Sequence, residues 1–258
     1  MTSVDPISSP RWALVTGASD GIGRAFALAL GAQGYHCLLV ARNETRLQDV
    51  ARQIGSARCR VLAADLSNPG AVNDIIAASA GLAIDRLVAA AGYGTSGPFV
   101  DADGASELAM IDVNCRAVAA LVHAIGGQMK ARRRGGIILF SSLVAFQGVP
   151  RSANYAATKA YIQTLAEGLR PELKPFGVDV LSVAPGPIAS GFAARAGLTL
   201  AMSQTPDIVA RQSLTALGRT GTVRPGWLAK LLIGSLSILP RRGRTLIMTQ
   251  IMAGMTAK

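Results

Sequence analysis

Apolar runs of strand length recur along the chain, separated by longer stretches of helical periodicity: "WALVTG", "HCLLVA", "CRVLAAD", "IDRLVAAAG", "GIILFSS" and "VDVLSVAPG". A strand that is apolar at nearly every position needs cover on both faces, and a strand–helix–strand rhythm supplies helices to both. The pattern predicts an α/β fold built on a doubly wound parallel sheet. At 258 residues the chain lies in the size range of one such domain. No internal repeat, low-complexity segment or linker divides it, so residues 1–258 are expected to form a single domain with a core of about 11–225. From about 226 to 258, "PGWLAKLLIGSLSILPRRGRTLIMTQIMAGM" reads as an extension of one or two apolar helices with basic punctuation.

The chain is 50% apolar and only 16% charged, against roughly 25% charged in ordinary domains. Such an excess needs another subunit, a lipophilic ligand or a membrane surface to cover it. The 26 basic against 15 acidic residues leave a net charge of +11, which attracts phosphates, acidic proteins and anionic lipid. Nucleic-acid binding is excluded on pattern: the arginines are scattered apart from Arg132–Arg133–Arg134 and Arg241–Arg242, and no recognition motif accompanies them. Cys37, Cys59 and Cys115 have neither paired nor metal-ligand spacing, which fits a reduced cytoplasm. His36 and His123 stand apart from any ligand cluster, so no metal is expected. The amino terminus lacks a basic-then-apolar signal, and "LLIGSLSILP" is too short to span a bilayer.

The first apolar run leads straight into "TGASDGIGRAFALAL". Gly17, Gly21 and Gly23 there permit a tight turn and bring backbone N–H groups close to a pyrophosphate at the amino end of a helix. A strand before and a helix after are the context a dinucleotide site requires. At the end of the second run an acidic residue would take the adenosine ribose 2′-hydroxyl of NAD. This chain has Ala41 and Arg42, and a guanidinium suits a 2′-phosphate, so NADP(H) is expected over NAD(H).

In "SANYAATKAY", Tyr155 and Lys159 lie one helical turn apart, where an ammonium can favour a phenolate whose ordinary pKa is about 10. Ser142 closes the run "GGIILFSS", at a strand end where ligands of such sheets sit, and its hydroxyl can hold a carbonyl oxygen while Tyr155 donates the proton. Asn114, in "AMIDVNCRAVAAL", is costly among apolar neighbours unless its amide is satisfied.

With "TGASDGIG", the aspartate of "AADLS", Asn114, Ser142, "YAATK" and "PGPIAS" in order over roughly 11–192, the chain resembles the short-chain dehydrogenase/reductase family and its Rossmann fold. The resemblance implies a catalytic tetrad of Asn114, Ser142, Tyr155 and Lys159. Tyr155 would be the acid/base, Lys159 would hold the nicotinamide ribose and lower the tyrosine pKa, and Asn114 would anchor a water in a proton relay. It assigns the cofactor to Gly17, Ser19, Gly21, Ile22, Gly23, Arg42, Asp65, Leu66, Ala91, Gly92, Tyr155, Lys159, Pro185, Gly186 and Ile188, with Asp65 at the adenine and Pro185 to Ile188 closing on the nicotinamide. Where the family usually shows Asn-Asn-Ala-Gly, this chain has Ala89-Ala90-Ala91-Gly92, which keeps the turn and removes two amides.

The reaction so implied is hydride transfer between nicotinamide and a carbonyl or secondary alcohol. Ser142, Leu143, Phe146, Tyr155 and Phe192 are the expected substrate contacts, with Phe99 and Val149 as further walls and Phe192 as a lid. An apolar pocket with few polar groups suits a lipophilic ketone: 3-oxoacyl, steroid-like or cyclic. The tail resembles that of a subgroup acting on such substrates. By family habit a homodimer or homotetramer is expected, in the cytoplasm. The alternatives are Arg132–Arg134 as a dock for an acidic acyl carrier protein, the tail from Trp227 as a peripheral membrane anchor, or an NADP-sensing regulator without turnover.

Overall fold

The structure is a computed structural model and describes residues 10–188, 203–226 and 240–255. Its frame is one parallel sheet of strands β1 (Trp12–Thr16), β2 (His36–Ala41), β3 (Cys59–Ala63), β4 (Ile84–Ala89), β5 (Gly135–Phe140), β6 (Val178–Val183) and β7 (Thr222–Val223), in the order β3-β2-β1-β4-β5-β6-β7. Every registered pair is parallel. Each expected strand is present. The two-residue β7 has no counterpart among the apolar runs, because it is too short to show a period.

Successive strand residues face opposite sides, and both sides are buried. Leu14, Leu38, Leu87 and Ile137 meet Ile75 of α3 (Ala71–Ala78), Leu121 and Ile125 of α5 (Ala117–Arg132) and Ile162 of α6 (Ala153–Leu173). Val15, Leu39, Val88 and Ile138 meet Phe26 and Leu30 of α1 (Gly21–Ala32), Leu47 of α2 (Glu44–Ile54) and Val209 of α7 (Pro206–Ala216). This double cover is why the strands are apolar throughout.

Helix α4 (Gly104–Ile111) runs into α5 through a π-helical turn at Asp112–Arg116, which contains Asn114. The stretch Gly104–Arg132 has the length and apolarity of a membrane span, yet half of its most apolar window is buried inside the molecule. Of the tail, α8 (Arg241–Met255) is described. Its Met248 packs on Val149 and on Ala156 of α6, so this helix lies over the segment that follows Ser142.

The arginine triplet is engaged in the fold. Arg132 donates to Ile84 O, Arg133 to Pro175 O, and Arg134 makes a forked pair with the buried Asp85 at 3.2 and 2.7 Å. His36 stacks against Trp12. Among the described residues no group of acidic, histidine or cysteine side chains could hold a metal.

Candidate active site

The carboxyl ends of β1, β4, β5 and β6 converge on one edge of the sheet, and the turns leaving them build the site. After β1, Gly17 takes a left-handed φ of +68° and leaves no room for a side chain, since a Cβ there would stand 2.9 Å from Ala91 N. A Cβ on Gly23 would overlap the Gly17 carbonyl. These contacts bring the turn against the start of α1, whose N-cap Asp20 accepts from Gly21 N at 2.7 Å and lies 3.8 Å from Arg46. Thr16 Oγ1 accepts from Ala91 N at 3.1 Å and ties the β1 turn to the β4 turn. The two alanines where amides were expected therefore leave that junction held from the β1 side.

Asn114 is buried and its amide is fully engaged. Oδ1 accepts from Tyr93 N at 3.1 Å, while Nδ2 donates to Tyr93 O at 2.9 Å and to Thr158 Oγ1 at 3.0 Å. Thr158 in turn donates to Tyr155 O at 2.8 Å, so the asparagine fixes the helix that carries the tyrosine. Gly92 passes against the pair: a Cβ there would lie 3.0 Å from Asn114 Oδ1 and 3.5 Å from Lys159 Nζ. Thr16, Tyr93 and Thr158 give no signal in the sequence, because their roles exist only once separate strands and helices meet.

Ser142 N-caps the short 3-10 turn Leu143–Phe146, its hydroxyl accepting from Val144 N at 3.4 Å. Leu143 N–H donates to Pro185 O at 3.3 Å and joins this turn to the one after β6. Tyr155 and Ser142, both half-buried, share a hydrogen bond. Burial pushes the Tyr155 phenol well above its ordinary value, and the Ser142 bond pulls the other way. Lys159 is buried; its Nζ donates to Phe140 O at 3.0 Å and lies 5.6 Å from the centre of the Tyr155 ring. Burial pulls this ammonium down to about 8. The Ser142 bond favours the phenolate here, while Lys159, one helical turn on, donates to the β5 carbonyl.

The residues expected at the adenosine end lie past β2 and β3. Asp65 accepts from Ser67 N at 3.0 Å and Ser67 Oγ at 2.9 Å, and these bonds, the backbone one foremost, with Arg42 nearby, hold its carboxyl below the usual range against the effect of burial. Arg42 is exposed just past β2, within electrostatic reach of Asp65 and Tyr93. The glycine turns, the start of α1, Arg42, Asp65 and a lysine with two further donors fit a dinucleotide.

The fold thus brings Asn114, Ser142, Tyr155, Lys159 and Gly92 into one cluster, with Pro185 bonded to its rim. Ser19 and Leu66 fall on the turns after β1 and β3, Ile22 in the first turn of α1, and Gly186 and Ile188 on the segment after β6. Phe146 stacks under Arg224, whose guanidinium carbon is 5.2 Å from the ring centre. Val149 packs under α8, and Phe99 is exposed. Phe192 and Trp227 lie outside the described residues. Burial raises all three thiols, Cys37 to about 12 and Cys115 to about 11.

The family model described as short chain dehydrogenase matches residues 11–200. Among curated proteins, a very-long-chain 3-oxoacyl-CoA reductase of Phaeosphaeria nodorum is 32% identical over 219 residues, which are 81% of this chain and 64% of that protein. A 7beta-hydroxysteroid dehydrogenase of Clostridium sardiniense is 34% identical over 179 residues, 68% of this chain and 69% of the relative. Among solved structures, one of a 7beta-hydroxysteroid dehydrogenase superposes with a TM-score of 0.85 at 25% identity, covering 92% of this chain and 96% of the other. A short-chain dehydrogenase from Sphingobium yanoikuyae in complex with NADPH superposes at 0.77 with 26% identity, covering 90% and 97%. Motif order, fold and similarity agree, and the chain belongs to the short-chain dehydrogenase family, oxidoreductases that act on hydroxyl and keto groups with a nicotinamide cofactor.

Proposed function

We propose that the chain reduces a lipophilic carbonyl compound with NADPH, or oxidises the matching secondary alcohol with NADP. The observation that carries this is the hydrogen-bonded Tyr155–Ser142 pair beside the buried Lys159. NADP is favoured by the exposed guanidinium of Arg42 where NAD-binding relatives of the fold place a carboxylate. A lipophilic substrate is supported by Leu143 and Phe146 on the turn leaving Ser142, and by relatives named for very-long-chain acyl and steroid substrates.

In this reading Ser142 and Tyr155 hold the carbonyl oxygen between two hydroxyls. Tyr155, kept protonated by burial, gives its proton to that oxygen during reduction. Lys159, anchored through one donor to Phe140 O, has its other donors for ribose hydroxyls. Asn114 holds α6 in register through Thr158. The cofactor supplies or accepts the hydride at the carbon. The arginines of the 132–134 run are tied to Ile84, Pro175 and Asp85, which weakens the carrier-protein alternative.

The test is NADPH and NADH consumption against a ladder of 3-oxoacyl thioesters, cyclic ketones, steroids and quinones. Tyr155→Phe is expected to lower kcat by about 10²–10⁴-fold while NADPH still binds. Arg42→Asp is expected to reduce the NADPH-over-NADH ratio of kcat/KM by about 100-fold. A wild-type preference for NADH would overturn the cofactor assignment. Tight NADPH binding with no turnover anywhere on the ladder would favour a regulator.

A further inference from the structure

Arg224 follows β7 directly, at the sheet edge that carries Ser142 and Pro185. Ala184 N–H donates to Val223 O at 2.9 Å, and Leu143 N–H to Pro185 O at 3.3 Å, so Arg224 is two backbone bonds from the catalytic turn. Its guanidinium lies over Phe146 on that turn, at 5.2 Å. The side chain is half-buried, and its Nε is wholly out of solvent yet has no hydrogen-bond acceptor among the described residues. Two residues on, Gly226 packs against Gln204, whose N–H is held by Pro187 O at 3.0 Å and whose buried Oε1 has no donor. The other arginines drawn into the sheet are satisfied: Arg132 by Ile84 O, Arg134 by Asp85, Arg170 by Thr220 O.

A guanidinium N–H out of solvent with no acceptor among the described residues is an unfavourable ground state, and a planar fork laid on an aromatic ring is the arrangement that takes carboxylate or phosphate oxygens in pairs. We propose that Arg224 holds an anionic group of the substrate, a carboxylate or a phosphate, while Ser142 and Tyr155 hold its carbonyl oxygen. The physiological substrate is then an anionic carbonyl compound with an apolar segment between the two ends, and the net charge of +11 draws it to the protein. This rests on the reductase reading given above, and it adds the charge of the substrate and the residue that reads it.

Matched probes that differ only in charge test it. Keto acids with increasing aliphatic spacers are compared with their methyl esters, and 3-oxoacyl-CoA thioesters with the same acyl chains on N-acetylcysteamine. Wild type should prefer the charged member of one series by at least about tenfold in kcat/KM. The series that responds separates carboxylate from phosphate. Arg224→Leu and the more conservative Arg224→Gln should abolish the preference, leave the uncharged member within about twofold, and Arg224→Lys should restore part of it. Equal use of charged and uncharged probes by wild type, or a preference that survives both neutral variants, overturns the proposal. So does weakened NADPH binding in the variants, since the arginine would then serve the cofactor. Calorimetric binding of dodecanoate, methyl dodecanoate and coenzyme A to the NADP-loaded protein reads the arginine without turnover. Arg224-dependent binding of an anion with no reduction of any probe would sink the reductase reading alone; indifference to charge would sink the role of Arg224.

Discussion

Tyr155 and Lys159 show what the tertiary structure adds to sequence spacing. Four residues on a helix bring the two together, but the buried lysine bonds the β5 carbonyl and the phenol bonds Ser142. The lysine's ordinary value of 10.5 falls to about 8 in the cofactor-free fold. Between those limits the unfolded chain keeps a proton that the folded chain has released. The lysine's contribution to stability should therefore rise as pH increases from about 8, by about 1 kcal/mol per pH unit, while below 8 the lysine is protonated in both states and its contribution does not change. The raised groups act oppositely, the three thiols above their ordinary value of 9.0 and the Tyr155 phenol above 10, so the window from about 8 to 9 belongs to the lysine. Denaturant unfolding without cofactor should show the rise in wild type and lose it in Lys159→Met. A slope shared by both proteins would mean that another group causes it.

At the scale of elements, the glycine turn between β1 and α1 illustrates what spacing can and cannot say. Gly17, Gly21 and Gly23 are visible as a strand–turn–helix phosphate loop in the sequence, yet each has its own reason. Gly17 needs both a left-handed backbone and clearance from the β4 turn, while Gly23 needs only clearance from Gly17. Gly23→Ala would place a Cβ 2.6 Å from the Gly17 carbonyl carbon, which a backbone cannot relieve cheaply. A loss of about 2–4 kcal/mol and at least tenfold weaker NADPH binding are expected, measured by thermal unfolding and fluorescence titration. Gly34 also has a positive φ, +84°, but nothing stands within 4 Å of its Cβ position. Gly34→Ala should therefore cost only about 1–2 kcal/mol, the backbone term alone, and leave cofactor affinity unchanged. The π-turn at Asn114 was legible only as a costly asparagine. The shift in helical register that lets its amide reach both Tyr93 and Thr158 depends on α6 lying alongside.

The whole molecule gathers the site by topology. The order β3-β2-β1-β4-β5-β6-β7 reverses beside β1, so the β1 and β4 turns open a crevice into which β5, β6 and α6 deliver the reactive groups. Part of the apolar excess is absorbed by the two faces of the sheet, and part emerges as exposed Leu108 and Ile111 on α4 and Tyr161 on α6. Helix α8 returns from the end of the chain to cover Val149 and Ala156, close to the turn that carries Ser142. Truncation after Pro240 would strip that cover. The shortened protein should lose at least about 2 kcal/mol of stability and much of its carbonyl turnover, while NADPH affinity, which the proposed reading assigns to the β1–α1 and β2 ends, stays within about threefold. Calorimetric unfolding and cofactor titration on the same preparation would show it. Equal loss of both properties would mean that α8 supports the whole domain rather than the catalytic turn.

By itself the sequence determined the sheet, its double cover and the candidates for the reactive groups. Continuous apolar runs cannot be solvated, and glycines, a tyrosine and a lysine at those intervals leave few other uses. Tertiary structure alone decided which groups meet. The pairing of Tyr155 with Ser142, the satisfaction of Asn114 by Tyr93 and Thr158, the capture of the arginine triplet by Ile84, Pro175 and Asp85, and the guanidinium of Arg224 over Phe146 all join residues far apart in the chain. Such contacts follow from strand order and helix packing, whose distances no local pattern encodes, and they set the burial that moves the proton affinities of Tyr155 and Lys159.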